Sequence, residues 1–305
     1  MKKMRARRAI GLGLGLALSG SALAFDRVPI LLYHPQFVGN MEALERDLET
    51  LHSNGFTVVP VYWLVEWALG RRSNVSLPAK PVGITFDDGD DGNWLKWTAP
   101  ASEASNTRSS APTSDLHKSG ASVLREFKKN HPELPAYSPH VAIFIIASPK
   151  ARETISTRMS DNWWADAQNS GFAEIYNHGM DHDHTTIREQ VWDEEVGAYI
   201  PVSGYSDGNW TGTLAPRRIT SYQSCKHHVE SSAEYIMRKI GVWPDLFAHP
   251  MGQMSAELRN YFQTFPAEHR TVAAFCIETI GPGAIASNYL TRQSDRWCLP
   301  RMSYG

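Results

Sequence analysis

Apolar residues in this 305-residue chain cluster in short runs separated by longer amphipathic stretches. Val28-Pro29-Ile30-Leu31-Leu32-Tyr33 reads as a strand that ends at His34. Met41 to Asn54 places Leu44, Leu48 and Leu51 on one helical face, with Gly55 as its stop. Phe56 to Val61 then predicts a strand, Tyr62 to Leu69 a short helix, and Pro81-Val82-Gly83-Ile84-Thr85-Phe86 a buried strand. Further along, Leu116 to Asn130 reads as a helix with Val123, Leu124 and Phe127 on its apolar face. His140 to Ile146 is the most β-prone run and predicts a central strand. Helix over Trp163–Ser170, strand over Ala173–Tyr176, one long helix over Ile219–Ile240 and a strand at Leu246–Ala248 complete the pattern, with the runs Ala273–Ile277 and Leu299–Arg301 in the C-terminal region. Strands alternating with helices imply an α/β fold on a parallel sheet, open or closed into a barrel.

Two tracts break the alternation. Ala99 to Ser114, inside a variable stretch spanning 97–139, is rich in Ser, Ala, Thr and Pro and predicts an exposed loop; Gly197 to Pro216 is a turn-rich excursion. The N-terminus has its own logic. Lys2, Lys3, Arg5, Arg7 and Arg8 precede the apolar run Ile10–Leu18, and Ala22-Leu23-Ala24 is a small-x-small cleavage site, so residues 1–24 read as a signal peptide. The expectation is an exported protein, periplasmic or secreted, with no membrane span after cleavage and residues 25–305 forming the mature domain. Five of the 30 basic side chains and none of the 32 acidic ones lie in that segment, which leaves a net −7. Such a balance argues against nucleic acid as a partner and for neutral or cationic ligands. Of Cys225, Cys276 and Cys298, one pair can bridge in an oxidising compartment, with Cys276–Cys298 preferred because both lie in the C-terminal region.

The chemistry sits at strand ends. Phe86 is followed by Asp87-Asp88-Gly89, and two acids closing a buried strand must be exposed or given cationic partners. Tyr176-Asn177-His178-Gly179-Met180-Asp181-His182 brings two imidazoles four positions apart, on one face if the turn is helical. One acid with both histidines makes a three-ligand site with open positions, the pattern of a catalytic divalent metal: zinc, or cobalt or nickel, whose preferences overlap. The other acid is then free to move protons. The zincin motif fails because Gly179 stands where Glu is needed, a calcium loop begun at Asp87 lacks its acids, and no nucleophile elbow or P-loop is present.

Thr85-Phe86-Asp87-Asp88-Gly89, His178-x-x-x-His182 and Phe247-Ala248-His249-Pro250-Met251-Gly252 together resemble the first three motifs of the polysaccharide deacetylases, carbohydrate esterase family four. The resemblance runs from residue 28 to 301. It implies a distorted (β/α)7 barrel, Asp87 as general base, and Asp88, His178 and His182 as ligands of one divalent metal, usually zinc. It also implies a polysaccharide or oligosaccharide substrate whose N-acetyl groups are removed, with the Met251 backbone N–H at the oxyanion and His249 and Pro250 in the pocket. The third motif departs from the family: Ala248 replaces the arginine that orients the base, and His249 and Met251 replace tyrosines. The motif is more similar to that of the biofilm poly-N-acetylglucosamine deacetylases, a resemblance that implies a proton donor just after the opening strand, at His34. His249 and His184 are rival donors, and His184 is a rival to His182 as ligand. An O-acetyl esterase or a non-catalytic carbohydrate-binding protein on the same fold are the alternative functions.

Overall fold

The computed structural model describes residues 25–35, 37, 39–98, 116–182, 190–193, 198–201, 219, 221–277 and 288–303. Residues 1–24 with the predicted signal peptide, the loop 99–115 and His184 lie outside them. Strand β1 (Ile30–Tyr33) leads to helix α1 (Asn40–Ser53), β2 (Thr57–Val58), α2 (Val61–Ala68) and β3 (Pro81–Phe86). Then come β4 (Trp97–Thr98) and β5 (Leu116–His117), an antiparallel pair, followed by α3 (Gly120–Asn130), β6 (Val141–Ile145), α4 (Pro149–Ile155), α5 (Trp164–Gln168) and β7 (Ala173–Asn177). A second antiparallel pair, β8 (Gln190–Asp193) and β9 (Ala198–Pro201), precedes α6 (Tyr222–Lys226), α7 (Ser232–Ile240) and β10 (Leu246–Ala248). Last are α8 (Ala256–Thr264), α9 (Pro266–His269), β11 (Ala273–Phe275) and β12 (Met302–Ser303).

The principal sheet is parallel, in the order β11-β10-β7-β6-β3-β1-β12. Its two edges meet through one segment. Leu299 bridges Phe275 of β11, with Cys276 N–H donating to Leu299 O at 2.9 Å, while Met302 and Ser303 pair with Leu31 and Leu32 of β1. The strands are apolar on both faces, as a helix-covered parallel sheet requires. In β6, Val141, Ile143 and Ile145 pack outward with Leu44, Leu48, Leu124, Trp164 and Ile236 of the helices. Ala142 and Phe144 face inward with Ile30, Tyr176, Ala248 and Phe275. Helix α2 packs on the inner layer: a Cβ at Gly83 would lie 3.0 Å from Leu64 Cδ1, so glycine lets β3 and α2 approach.

Several boundaries differ from the sequence expectation. The strand expected over Phe56–Val61 is only Thr57–Val58, because Val61 already opens α2 behind Pro60, a residue suited to a helix start. Leu116 and His117 are strand rather than helix; Ser119 Oγ accepts the Ser122 N–H at 3.1 Å and sets the start of α3 at Gly120. The excursion expected at Gly197–Pro216 contributes Ala198–Pro201 as a strand. The single helix expected over Ile219–Ile240 is capped by Ser221 and interrupted by a π turn at His227–Ser231.

Cys276 and Cys298 form a disulfide across 22 residues, and Cys225 is free and buried. The bond ties the closing segment Leu299–Ser303 to the end of β11. Replacing both cysteines with serine is expected to cost about 3 kcal/mol through the entropy of a freed loop of that length, read as a lower urea midpoint.

Candidate active site

Each predicted site residue follows the C-terminal end of a parallel strand: His34 after β1, Asp87 and Asp88 after β3, His178 after β7, and His249, Pro250 and Met251 after β10. In a parallel α/β barrel that rim is where loops from many strands converge, so distant residues become neighbours.

Asp88 Oδ1 lies 3.4 Å from His178 Nε2 and 3.5 Å from His182 Nε2. Ligands of a tetrahedral zinc, bound at about 2.0–2.1 Å, are separated by about 3.3 Å, so the spacing fits one divalent ion. The tautomer fits too. His178 Nδ1–H donates to Ala248 O at 2.9 Å, which leaves the Nε2 lone pair facing Asp88. Burial opposes protonation of His178, yet Asp87 and Asp88 raise its pKa, as two anions facing a cation site do.

The helical-turn explanation of the histidine pair is corrected by the backbone. His178 leaves β7, the chain turns at Gly179 (φ 84°), and His182 itself is left-handed (φ 56°). No β-carbon fits at Gly179, since it would fall 2.2 Å from His228 Cε1. Asn177 pins the loop: its Oδ1 accepts from Gly179 N–H at 2.8 Å and Ser232 Oγ–H at 3.0 Å, and its Nδ2–H donates to Val229 O at 2.8 Å. The π turn thus cradles the histidine loop, a recurrent use of such bulges at functional sites. Among the described residues, four non-glycine residues have left-handed backbone, and three of them are Asp88, His182 and Met251. Strain of this kind concentrates where geometry is over-determined.

Asp87 is fully buried, and its partner comes from the far end of the chain. Arg301, itself 0% exposed, donates Nη1–H to Oδ1 at 2.6 Å and Nη2–H to Oδ2 at 2.8 Å. The guanidinium rests on Phe144 and Phe275 of the inner layer, 5.3 and 5.8 Å from their ring centroids. Burial opposes ionisation of Asp87, but Arg301 and then His178 outweigh it and hold the pKa below the usual carboxylate range. The cation that holds Asp87 thus comes from Arg301, not from the position of Ala248. Acids closing a buried strand, which must be exposed or paired with a cation, were its one sequence signal. His34 is half-buried and close enough that its positive form helps hold Asp87 and Asp88 ionised. A cleft of about 270 Å³ opens beside Asp88 and Asp90, walled by Ile155, Arg158 and Met159, with Phe37 lining it and 58% exposed.

His249 sits beneath the rim. It is fully buried, its Nε2–H donates to Trp297 O at 2.9 Å, and burial pushes its pKa down to about 3. Burial thus disfavours its imidazolium form, and its Nε2–H is engaged by Trp297 O. In the unfolded chain the same ring titrates near 6.5, so the unfolded state binds the extra proton and stability falls as pH drops. Between pH 7.5 and 5.5 the wild-type unfolding free energy is expected to fall about 1.4 kcal/mol further than that of His249→Asn, measured by urea titration at each pH.

The sequence matches no protein-family model and no curated protein. Solved structures are more informative. The de-N-acetylase of Aggregatibacter actinomycetemcomitans superposes with a TM-score of 0.53 at 16% identity, over 91% of this chain and 94% of its own. IcaB of Ammonifex degensii gives 0.53 at 16%, over 92% and 93%. The fold is that of the polysaccharide deacetylases. The deacetylase domain of BpsB from Bordetella bronchiseptica agrees, at 0.52 and 15% over 92% and 96%. Among the described residues no helix is long and apolar enough to cross a membrane.

Proposed function

We propose that this protein is an exported, metal-dependent hydrolase that removes N-acetyl groups from an N-acetylglucosamine-type polysaccharide, with residues 25–305 as its catalytic unit. The observation that carries the reading is the convergence of Asp88, His178 and His182 beside an Asp87 kept ionised by Arg301, at the rim of a fold shared with a de-N-acetylase. The acidic balance of residues 25–305 suits a polymer that becomes cationic as it loses acetyl groups.

Asp88, His178 and His182 would hold the metal, zinc best matching the donor set and cobalt or nickel able to replace it. When bound, it supplies Lewis-acid polarisation of the amide carbonyl and of the attacking water. Asp87 takes a proton from the attacking water; the Arg301 clamp leaves each of its carboxylate oxygens a lone pair to accept it. The Met251 N–H, turned by its left-handed backbone, stabilises charge on the carbonyl oxygen, with Pro250 fixing the turn. His34 delivers a proton to the departing amine. Phe37 offers an exposed ring against which a sugar packs.

The test is acetate release from N-acetylglucosamine oligomers and from acetylated xylan, with and without chelation. Release from the amino sugar that chelation abolishes and zinc restores is the expected result. Release from xylan alone would assign an O-acetyl esterase instead, and no release from either, with sugar still bound, a carbohydrate-binding protein.

A further inference from the structure

A second group of metal-type side chains lies away from the rim. His52 is in the last turn of α1, Glu49 one turn before it, His131 directly follows α3, and Glu133 comes two residues later. Glu133 Oε1 is 3.1 Å from His52 Nε2 and 3.4 Å from His131 Nδ1. These donor separations match the edge of about 3.3 Å expected for ligands around tetrahedral zinc, and resemble the 3.4 and 3.5 Å of the rim triad. The other nitrogen of His131 is held by Glu49, with Nε2 at 3.1 and 3.0 Å from its two carboxylate oxygens. That carboxylate–imidazole pair orients the ring, as outer partners of metal-binding histidines do. The Phe127 ring flanks both imidazoles, 6.0 Å from His52 and 4.5 Å from His131. Both helices end here, and the negative poles of two helix C-termini favour a cation.

We infer that His52, His131 and Glu133, with Glu49 orienting His131, form a second site for a zinc-class divalent cation, with the fourth position left to water. Helices in a parallel barrel run opposite to its strands, so the ends of α1 and α3 lie at the strands' N-terminal face, across the barrel from the catalytic rim. A cation there straps the chain after α3 to the end of α1. It has no part in the hydrolysis, and the inference stands independently of the proposed activity.

The experiment is zinc titration of chelator-stripped protein, by calorimetry and by competition with a chromophoric chelator. The wild type is expected to bind two equivalents, and His52→Gln/His131→Gln one, with acetate release unchanged. Wild-type thermal stability should rise on filling the second equivalent, and the double variant should lose that increment. Titration of His178→Ala provides the converse, retaining the equivalent that the surface variant loses; circular dichroism verifies that each variant is folded. If the rim holds no metal, the wild type binds one equivalent and His52→Gln/His131→Gln none. The inference is overturned if the surface double variant binds as many equivalents as the wild type, or if its second dissociation constant rises less than tenfold.

Discussion

Asp87→Asn is expected to lower the rate of acetate release by about 1,000-fold or more while the rim metal stays bound. The magnitude follows from removing a general base, a step worth roughly 10²–10⁴ in rate. Asparagine keeps the volume and one acceptor oxygen for Arg301, but it cannot take a proton. Since Asp88, His178 and His182 are left in place, retained zinc distinguishes a missing base from a collapsed site. Loss of activity with loss of metal would instead make Asp87 a structural support of the cluster, and undiminished activity would remove it from the mechanism. In the wild type, the low-pH limb of kcat/KM should lie below the ordinary carboxylate range, because Arg301 depresses the pKa of Asp87.

Arg301→Leu is expected to be the most destabilising single change, at about 3–5 kcal/mol near neutral pH, because it strands a buried carboxylate without its charge partner. The sign with pH is specific. In the wild type the Asp87 pKa is lowered, so its pairing contributes stability above the unfolded value and loses it as pH falls through the folded one. Without Arg301, burial is opposed only by the weaker pull of His178 and His34, so the pKa rises above its wild-type position and the deficit of the variant shrinks as pH falls. Adding Asp87→Asn to Arg301→Leu should recover part of the loss, since it removes the stranded charge; the double-mutant cycle measures this by urea unfolding. Where the variant is folded, the acid limb of its pH–rate profile should move to higher pH. An unshifted limb would mean that Arg301 only packs and does not tune the base.

Much of the architecture was legible along the chain. The run Pro81–Phe86 is a strand to the residue, and α1 and β7 begin and end within one residue of the apolar pattern that predicted them. Apolar periodicity reports which faces are buried, and these elements are buried regularly. It failed where local hydrogen bonding competes with the pattern: at Ser119 and Ser221, whose side chains start helices, and at the π turn of His227–Ser231, where the ladder slips without any change in apolar spacing. The site divides in the same way. The acid pair and the histidine pair stand out because unlike chemistry ends each apolar strand, and both do come together.

The sequence by itself determined the strand-helix alternation, the polar residues at strand ends and that two acids closing a buried strand must be exposed or given a cationic partner. Only the tertiary structure decided which cation answers that need. Arg301 lies more than two hundred positions from Asp87, and its approach depends on the parallel pairing that brings Leu299–Ser303 between β11 and β1. It likewise decided that His249 lies beneath the rim rather than open to a substrate, since the residue after β10 turns inward to Trp297. Spacing along a chain encodes local faces. Ion pairing and burial depend on which strands close the ring, and that is settled only when the whole sheet assembles.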